Sequence, residues 1–318
     1  MKYRAIISEA WAIAQSDKKL LWLYAFFPAL ISFLVSTVYM IYQATAFYTT
    51  PFLNPNASGD KSAFGMVLDF ILDGLREETS LTVMLLVIAV FVLISYLLVP
   101  VFSQGALIQI LARKRAGQDV PIAKGITYGF TRFLQLFEYH LAIRSLSFFG
   151  LLGEAGFVFR NAGPEVFSFV GWIFLLALFV ALIVGILFTY AEYYIVIDEE
   201  GVFSSMVKSS GLVVRQWHHT LFMLFLMAVI VVRTGLNILL ALILPLLIFG
   251  PLFFFTSTIA MTLAFIAGLI IALVALYFAS YFLGVFHVFT VGVWTFTFLD
   301  LTAEEKQDID LHEAAVHQ

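Results

Sequence analysis

Ionisable side chains set among apolar ones are the residues of this chain with the means to do chemistry. Arg233 lies between Ile230-Val231-Val232 and Gly235-Leu236 near the middle of a long apolar run, and Asn237 follows one helical turn later. Arg144 occupies a comparable depth in an earlier run. A guanidinium in hydrocarbon costs about 2.5–3.5 kcal/mol on insertion scales, so its presence there calls for a reason. Two such arginines could hold a phosphate or carboxylate bidentately, giving a mid-membrane site for an anionic lipid or metabolite. The alternative is structural: Arg144 and Arg233 pair with Glu154, Glu138 or Glu192, with Asn237 assisting, and bind helices together. Glu138 and Glu192 stand nearer the ends of their runs, where they could relay protons or snorkel to the interface. His140 and His287 have no partner at i±3 or i±4 that would complete a metal site, and read as core or interfacial histidines. His218-His219 beside Trp217 reads as an interfacial anchor.

Other chemistry is excluded by what is missing. The chain has no cysteine, which removes disulfides, thiolate nucleophiles, Cys-ligated zinc, iron–sulfur clusters and c-type haem. No G-x-S-x-G, H-E-x-x-H, P-loop or G-x-G-x-x-G occurs, so no catalytic residue, metal ligand or cofactor-binding residue is expected. Ser95 and Ser147 lie among apolar residues, where hydroxyls commonly bond back to the helix backbone. A net charge of −4 without a basic, aromatic-interleaved stripe gives no sign of nucleic-acid binding.

The elements that position these residues follow from composition. The chain is 62% hydrophobic and only 12% charged, with a mean hydropathy of +1.00, against about 45–50% and about 25% for soluble domains. That predicts an all-α integral membrane protein. Its apolar runs are Leu20 to Tyr42, Leu81 to Leu111, Phe133 to Phe159, Val166 to Ile197, Leu221 to Phe249, and one from about Phe253 to Leu299. Each reaches the length of about 20 residues that crosses a bilayer, which makes six spans. The last is longer than one crossing needs. It is either a single helix projecting into the cytosol or a span plus an interfacial segment, with two crossings as a further alternative.

The bias of Lys and Arg in short loops sets orientation. With the N-terminus inside, Lys2, Arg4, Lys18, Lys19, Arg113, Lys114, Arg115, Lys124, Arg132, Lys208, Arg215 and Lys306 are cytoplasmic, and only Lys61, Arg76 and Arg160 lie outside. Residues 1–299 read as one transmembrane domain of a plasma-membrane protein, and the acidic tail 300–318 as cytoplasmic. Ala44-Thr45-Ala46 resembles a cleavage site, but the preceding run exceeds a signal-peptide h-region of about 7–15 residues, so an uncleaved anchor is expected.

A threefold pattern organises the spans. Amphipathic segments Tyr3 to Gln15, Pro121 to Arg132 and Val202 to Trp217 each lead into an outward span and its return, and each is predicted to lie in the cytoplasmic headgroup plane. The first unit carries an outside insertion, residues 44–80, with a turn at Pro51, Asn54, Pro55 and Gly59 and an acidic amphipathic stretch, Phe64 to Leu75. Ala260, Ala264, Gly268 and Ala272 form a small-residue seam for close helix contact, within the bundle or in a homo-oligomer or membrane-protein partner.

Gly105-Ala106-Leu107 with Arg115-Ala116-Gly117-Gln118-Asp119-Val120, and Tyr193 to Phe203 leading into Ser209-Ser210-Gly211-Leu212-Val213, carry a resemblance. They are similar to the loose superfamily of six-span bacterial proteins that includes the membrane domain of glycerophosphoryl diester phosphodiesterases and several relatives of unassigned function. The resemblance covers residues 1–299 and implies that fold. In proteins where that domain is joined to an enzyme, the enzyme is a separate barrel following it. Only a short tail follows residue 299, so phosphodiesterase activity is not expected of this polypeptide.

Three classes of function remain. The leading one is a scaffold or assembly factor, or a lipid-interacting protein, whose partners are membrane lipids. The alternative is a transporter or lipid-handling protein with an anion site at Arg144 and Arg233, and an intramembrane enzyme comes last. A scaffold predicts a packed core without a polar cavity, and a transporter predicts broken helices around a midplane cavity.

Overall fold

A computed structural model describes residues 3–48, 63–118, 120–121, 123–144, 147–249 and 258–316. The side chains of Arg144, of 237–249 with 258–265, of 305–316 and of a few other positions lie outside that description, as does the predicted turn at Pro51 to Gly59. Every regular element among the described residues is helical. In order they are α1 (Tyr3–Ser16), the single turn α2 (Lys18–Leu21), a π-helical turn (Trp22–Phe26), α3 (Phe27–Tyr48), α4 (Ala63–Glu77) and α5 (Thr79–Arg115). Then come α6 (Lys124–Thr131), α7 (Phe133–Arg144), α8 (Phe148–Leu187), α9 (Ala191–Val196), α10 (Val202–Arg215), α11 (Trp217–Phe249) and α12 (Thr258–Val316).

Five helical stretches are long and apolar enough to cross a membrane: Lys18–Ala46, Thr79–Arg115, Gly163–Leu187, Trp217–Leu236 and Ile266–Glu304. Their outer faces leave Phe169 79%, Trp172 73% and Phe225 70% exposed. Water does not tolerate apolar faces of that extent, so the surrounding solvent is lipid and the chain is a multi-pass membrane protein.

The predicted runs are divided differently in three places. The run 133–159 is two pieces, because α7 ends at Arg144 and α8 restarts after Ser147, whose extended backbone (ψ 139°) and Oγ, accepting from Gly150 N at 3.1 Å, make it an N-cap. Gly163 (φ 81°, ψ 171°) followed by Pro164 then kinks α8, since that left-handed backbone is open to glycine and closed to most other residues. The run 166–197 breaks after Leu187. There Ser209 Oγ of α10 accepts from Tyr190 N (3.0 Å) and donates to the Leu187 carbonyl (2.8 Å), supplying partners that a continuous helix would have supplied. The last run, by contrast, is one helix from Thr258 that continues without interruption through residue 300.

The packed core lies at the end of the bundle that carries Arg113-Lys114-Arg115. It joins Ile6, Ala10 and Ala14 of α1, Leu20, Leu21, Tyr24 and Ala25, Ala106, Leu107, Ile108, Ile110 and Leu111 of α5, Tyr190, Ala191 and Tyr193 to Val196, Leu212 and Val213 of α10, and Val288, Phe289, Val291, Val293, Phe296, Phe298 and Leu301 of α12. The face that α6 buries is its glycine pair, Gly125 and Gly129, while Ile126 and Phe130 are exposed. A Cβ at Gly129 would stand 2.6 Å from the Phe102 ring, so the absence of a side chain is what lets α6 lie against α5. Arg115 closes this end: it donates to the Phe296 carbonyl, pairs with Asp300 at 2.8 Å and Glu9 at 3.8 Å, and lies over the Phe296 ring.

Candidate functional site

The α7–α8 break opens space. Three adjoining cavities of about 420, 480 and 1010 Å³ run along α3 between α5, the α7–α8 break and α12. They share walls: Ser32, Pro100 and His287 join the first two, Tyr96, Leu141 and Ser147 join the second and third, and Ser36 joins the first and third. Their lining reaches from Ala25 of the π turn along α3 to Gln43, a rise of about 27 Å at α-helical pitch, against a hydrocarbon core of about 30 Å. The result is one groove of nearly membrane depth.

Prolines line its inner part. Pro28 follows the π-helical turn and Pro100 sits inside α5, and neither has an N–H to return to the helix ladder. Irregular backbone at this depth is tolerated where it borders a cavity. Gly284 of α12 comes close to the π turn from the other side, a Cβ there standing 3.2 Å from Phe26 N.

The polar groups gather at the two ends. At the inner end, Gln104 Nε2 donates to Glu192 Oε2 at 2.9 Å, and Glu192 Oε1 lies 3.6 Å from His140 Nε2. His287 lines the same cavity from α12. One level nearer the basic end of α5, Gln109 Nε2 donates to the Val196 carbonyl, so α5 holds the short helix α9 at two points. At the outer end, Arg160 donates to Gln43 Oε1 at 2.7 Å and lies over the Tyr42 and Phe157 rings at 5.9 and 5.6 Å. Glu154 lines the groove between these ends.

The residues singled out from sequence separate here. Glu192 is gathered into the polar cluster and Glu154 into the groove wall. Glu138 is exposed on α7. Arg233 is exposed on α11, with no ion pair among the described residues, and lines none of the three cavities. Arg144 is the last residue of α7, at the break, and its side chain, like those of Asn237, Ala260 and Ala264, lies outside the described residues. Ala272 is exposed and Gly268 half-buried. His140 and His287 line the cavity between the helices. His219 instead bonds the Tyr3 hydroxyl and ties α11 to α1.

Sequence reasoning missed Gln104, Ser32, Tyr96, Arg160 and Gln43 as site residues. Gln104 and Glu192 are 88 positions apart, beyond any helical spacing rule. The available signal was Gln104 and Gln109 themselves, two amides inside an apolar run. Among the described residues no group of three or more His, Asp or Glu side chains forms a metal site. Comparison with protein-family models, with curated proteins and with solved structures finds no significant match.

Proposed function

We propose that the protein is a lipid-handling or transport protein that binds an amphiphile in the α3/α5/α7–α8/α12 groove. The observation that carries this reading is the groove's extent, close to the thickness of the hydrocarbon core, with apolar walls and polar groups at both ends. Its volumes match ordinary ligand sites of about 300–1,000 Å³. A scaffold that only bridges lipids and partners has no use for such a cavity. The anion site at Arg144 and Arg233 gives way to the groove, since Arg233 faces outward.

The topology belongs to the same proposal. α7 and residues 148–162 together make a broken third span, giving six crossings of the plasma membrane with both termini cytoplasmic. α1, α6 and α10 are the cytoplasmic-side helices of a threefold pattern. Apolar residues on their outer faces, Trp11, Phe130 and Phe203, fit contact with lipid there. The resemblance to the phosphodiesterase membrane domain is part of this proposal as a fold alone.

The test fills the groove. Ser147→Trp and Ser32→Trp, purified and reconstituted, are compared with wild type for movement of a fluorescent phospholipid between leaflets and for co-purified lipid by native mass spectrometry. Both signals should fall to background. Wild-type levels in both variants, with folding intact by size exclusion, would overturn the reading.

A further inference from the structure

The inner cavity collects titratable and amide groups from three elements, α5, α7 and α12. Glu192 of α9 does not line it; Gln104 of α5 and His140 of α7 do, and both contact the carboxylate. A carboxylate offers only acceptors, so Gln104 turns its amide N–H₂ toward Glu192 and keeps Oε1 as an acceptor. His140 Nε2 is shut off from solvent without a hydrogen bond among the described residues. Its 3.6 Å separation from Glu192 is too long for a hydrogen bond and short enough for a charge pair. His287 of α12, Tyr139 of α7 and Tyr193 of α9 lie in the field of the same carboxylate, and Tyr96 of α5 is in the cavity wall. Glu138 on α7 is exposed, and Arg144 follows His140 by one turn. The described residues lining the two inner cavities include no lysine or arginine, and they present Tyr96, Phe137, Phe33 and Phe286. A carboxylate held behind Gln104 and His140, beside cavities with aromatic residues in their walls and in a medium of low dielectric, favours a bulky organic cation, through Coulomb attraction and the ring quadrupoles.

We propose that the inner end of the groove binds an organic ammonium group and that a proton on His140 competes with it, an inference that rests on the groove being a ligand path. With His140 neutral, Glu192 has no cationic partner among the described residues, and its negative charge holds the ammonium. With His140 protonated, the imidazolium neutralises Glu192 and the ammonium leaves, so one cation is exchanged for one proton and charge balances. The ammonium belongs either to a lipid headgroup or to a free amphiphile.

The experiment uses the full chain in phosphatidylglycerol nanodiscs. Dodecyltrimethylammonium binding is measured between about pH 8 and about pH 5.5, the range in which histidine titrates. Dodecyl sulfate and dodecyl maltoside serve as anionic and neutral probes, and spin-labelled phosphatidylethanolamine as the lipid source. Ammonium affinity should fall roughly tenfold on acidification. Glu192→Gln should lose roughly tenfold at high pH, Glu192→Asp should retain most binding, and His140→Gln should bind without pH dependence. Ammonium binding that is indifferent to pH and to Glu192→Gln overturns the inference, as does dodecyl sulfate binding tighter and being lost in Arg144→Gln. If neutral or anionic probes occupy the groove and ammonium gains nothing, this inference falls while the groove reading stands. If no probe binds and Ser147→Trp changes nothing, both fall.

Discussion

At the scale of single residues, the strongest constraints come from side chains that are absent. Gly129 lies against the Phe102 ring so closely that any Cβ would stand 2.6 Å from it. Gly129→Val should therefore destabilise the α5–α6 contact by about 1–3 kcal/mol, as overpacking does, read as a lower midpoint of thermal unfolding in detergent. A surface change on the same helix, Ile126→Ala, should be close to neutral by that measure, because Ile126 is exposed. The sequence places Gly125 and Gly129 one helical turn apart as two small residues, yet it does not tell which face of α6 packs. Both the glycine face and the Ile126/Phe130 face are apolar, and only the partner helix decides between them. The candidate site was legible in the same partial way. A charge set within an apolar run marks Glu192 and Glu154 from sequence alone, whereas Gln104 and His140 acquire meaning only when α5, α7 and α9 are brought together.

At the scale of elements, short polar clusters fix where helices begin and end. Asp17 caps α2 by accepting from Leu20 N at 3.1 Å and also pairs with Lys114 of α5. Before α10, Glu200 accepts from Lys208 and from Ser204 Oγ, at 2.8 Å for the latter. The hydrogen bonds from Lys208 and then Ser204 hold its carboxyl below the usual value of 4.5. A carboxyl lowered by folding contributes stability that is complete above its unfolded value and is lost as pH falls through the folded one. Hydrogen exchange at the first turn of α10 should thus stay slow through neutral and mildly acidic pH and accelerate only below about pH 4.5. Glu200→Gln should remove that dependence. Arg115 plays the larger part at the bundle end. Arg115→Met leaves the Phe296 carbonyl and Asp300 without their donor, a loss of roughly 1.5–3 kcal/mol for bonds to a charged group, visible as faster exchange in α1 and in the 288–301 stretch of α12. The element breaks were the least readable feature of the sequence. Hydropathy sees 133–159 and 166–197 as continuous because Ser147 and Ser209 satisfy backbone groups without changing the apolar average.

At the scale of the whole molecule, hydropathy was informative because lipid contact dominates the long helices. Composition alone identifies a helical membrane protein, and the exposed Phe169, Trp172 and Phe225 show why: on those faces no tertiary partner competes with the membrane. Crossing number is harder, since α7 and residues 148–162 are each too short to span on their own. The absence of cysteine makes the topology directly measurable. Single cysteines at Glu77, Ser204 and Thr302 in whole cells should react with an impermeant maleimide at position 77 only. Labelling at position 302 from outside would mean five crossings and would undo the proposed broken span.

α12 places Leu283, Phe286, His287 and Thr290 in the groove wall and continues as a helix to Val316. Residues 288–301 of it are packed into the core, so the projecting arm is the stretch beyond Leu301, about 22 Å of helix. A rod of that length is a lever: occupation of the groove that tilts α12 by about 5° would swing its far end by about 2 Å relative to the core. The acidic residues 304–313 sit on that moving arm. Filling or emptying a site inside the bilayer would thereby be converted into displacement of negative charge at a distance, where a soluble protein could sense it.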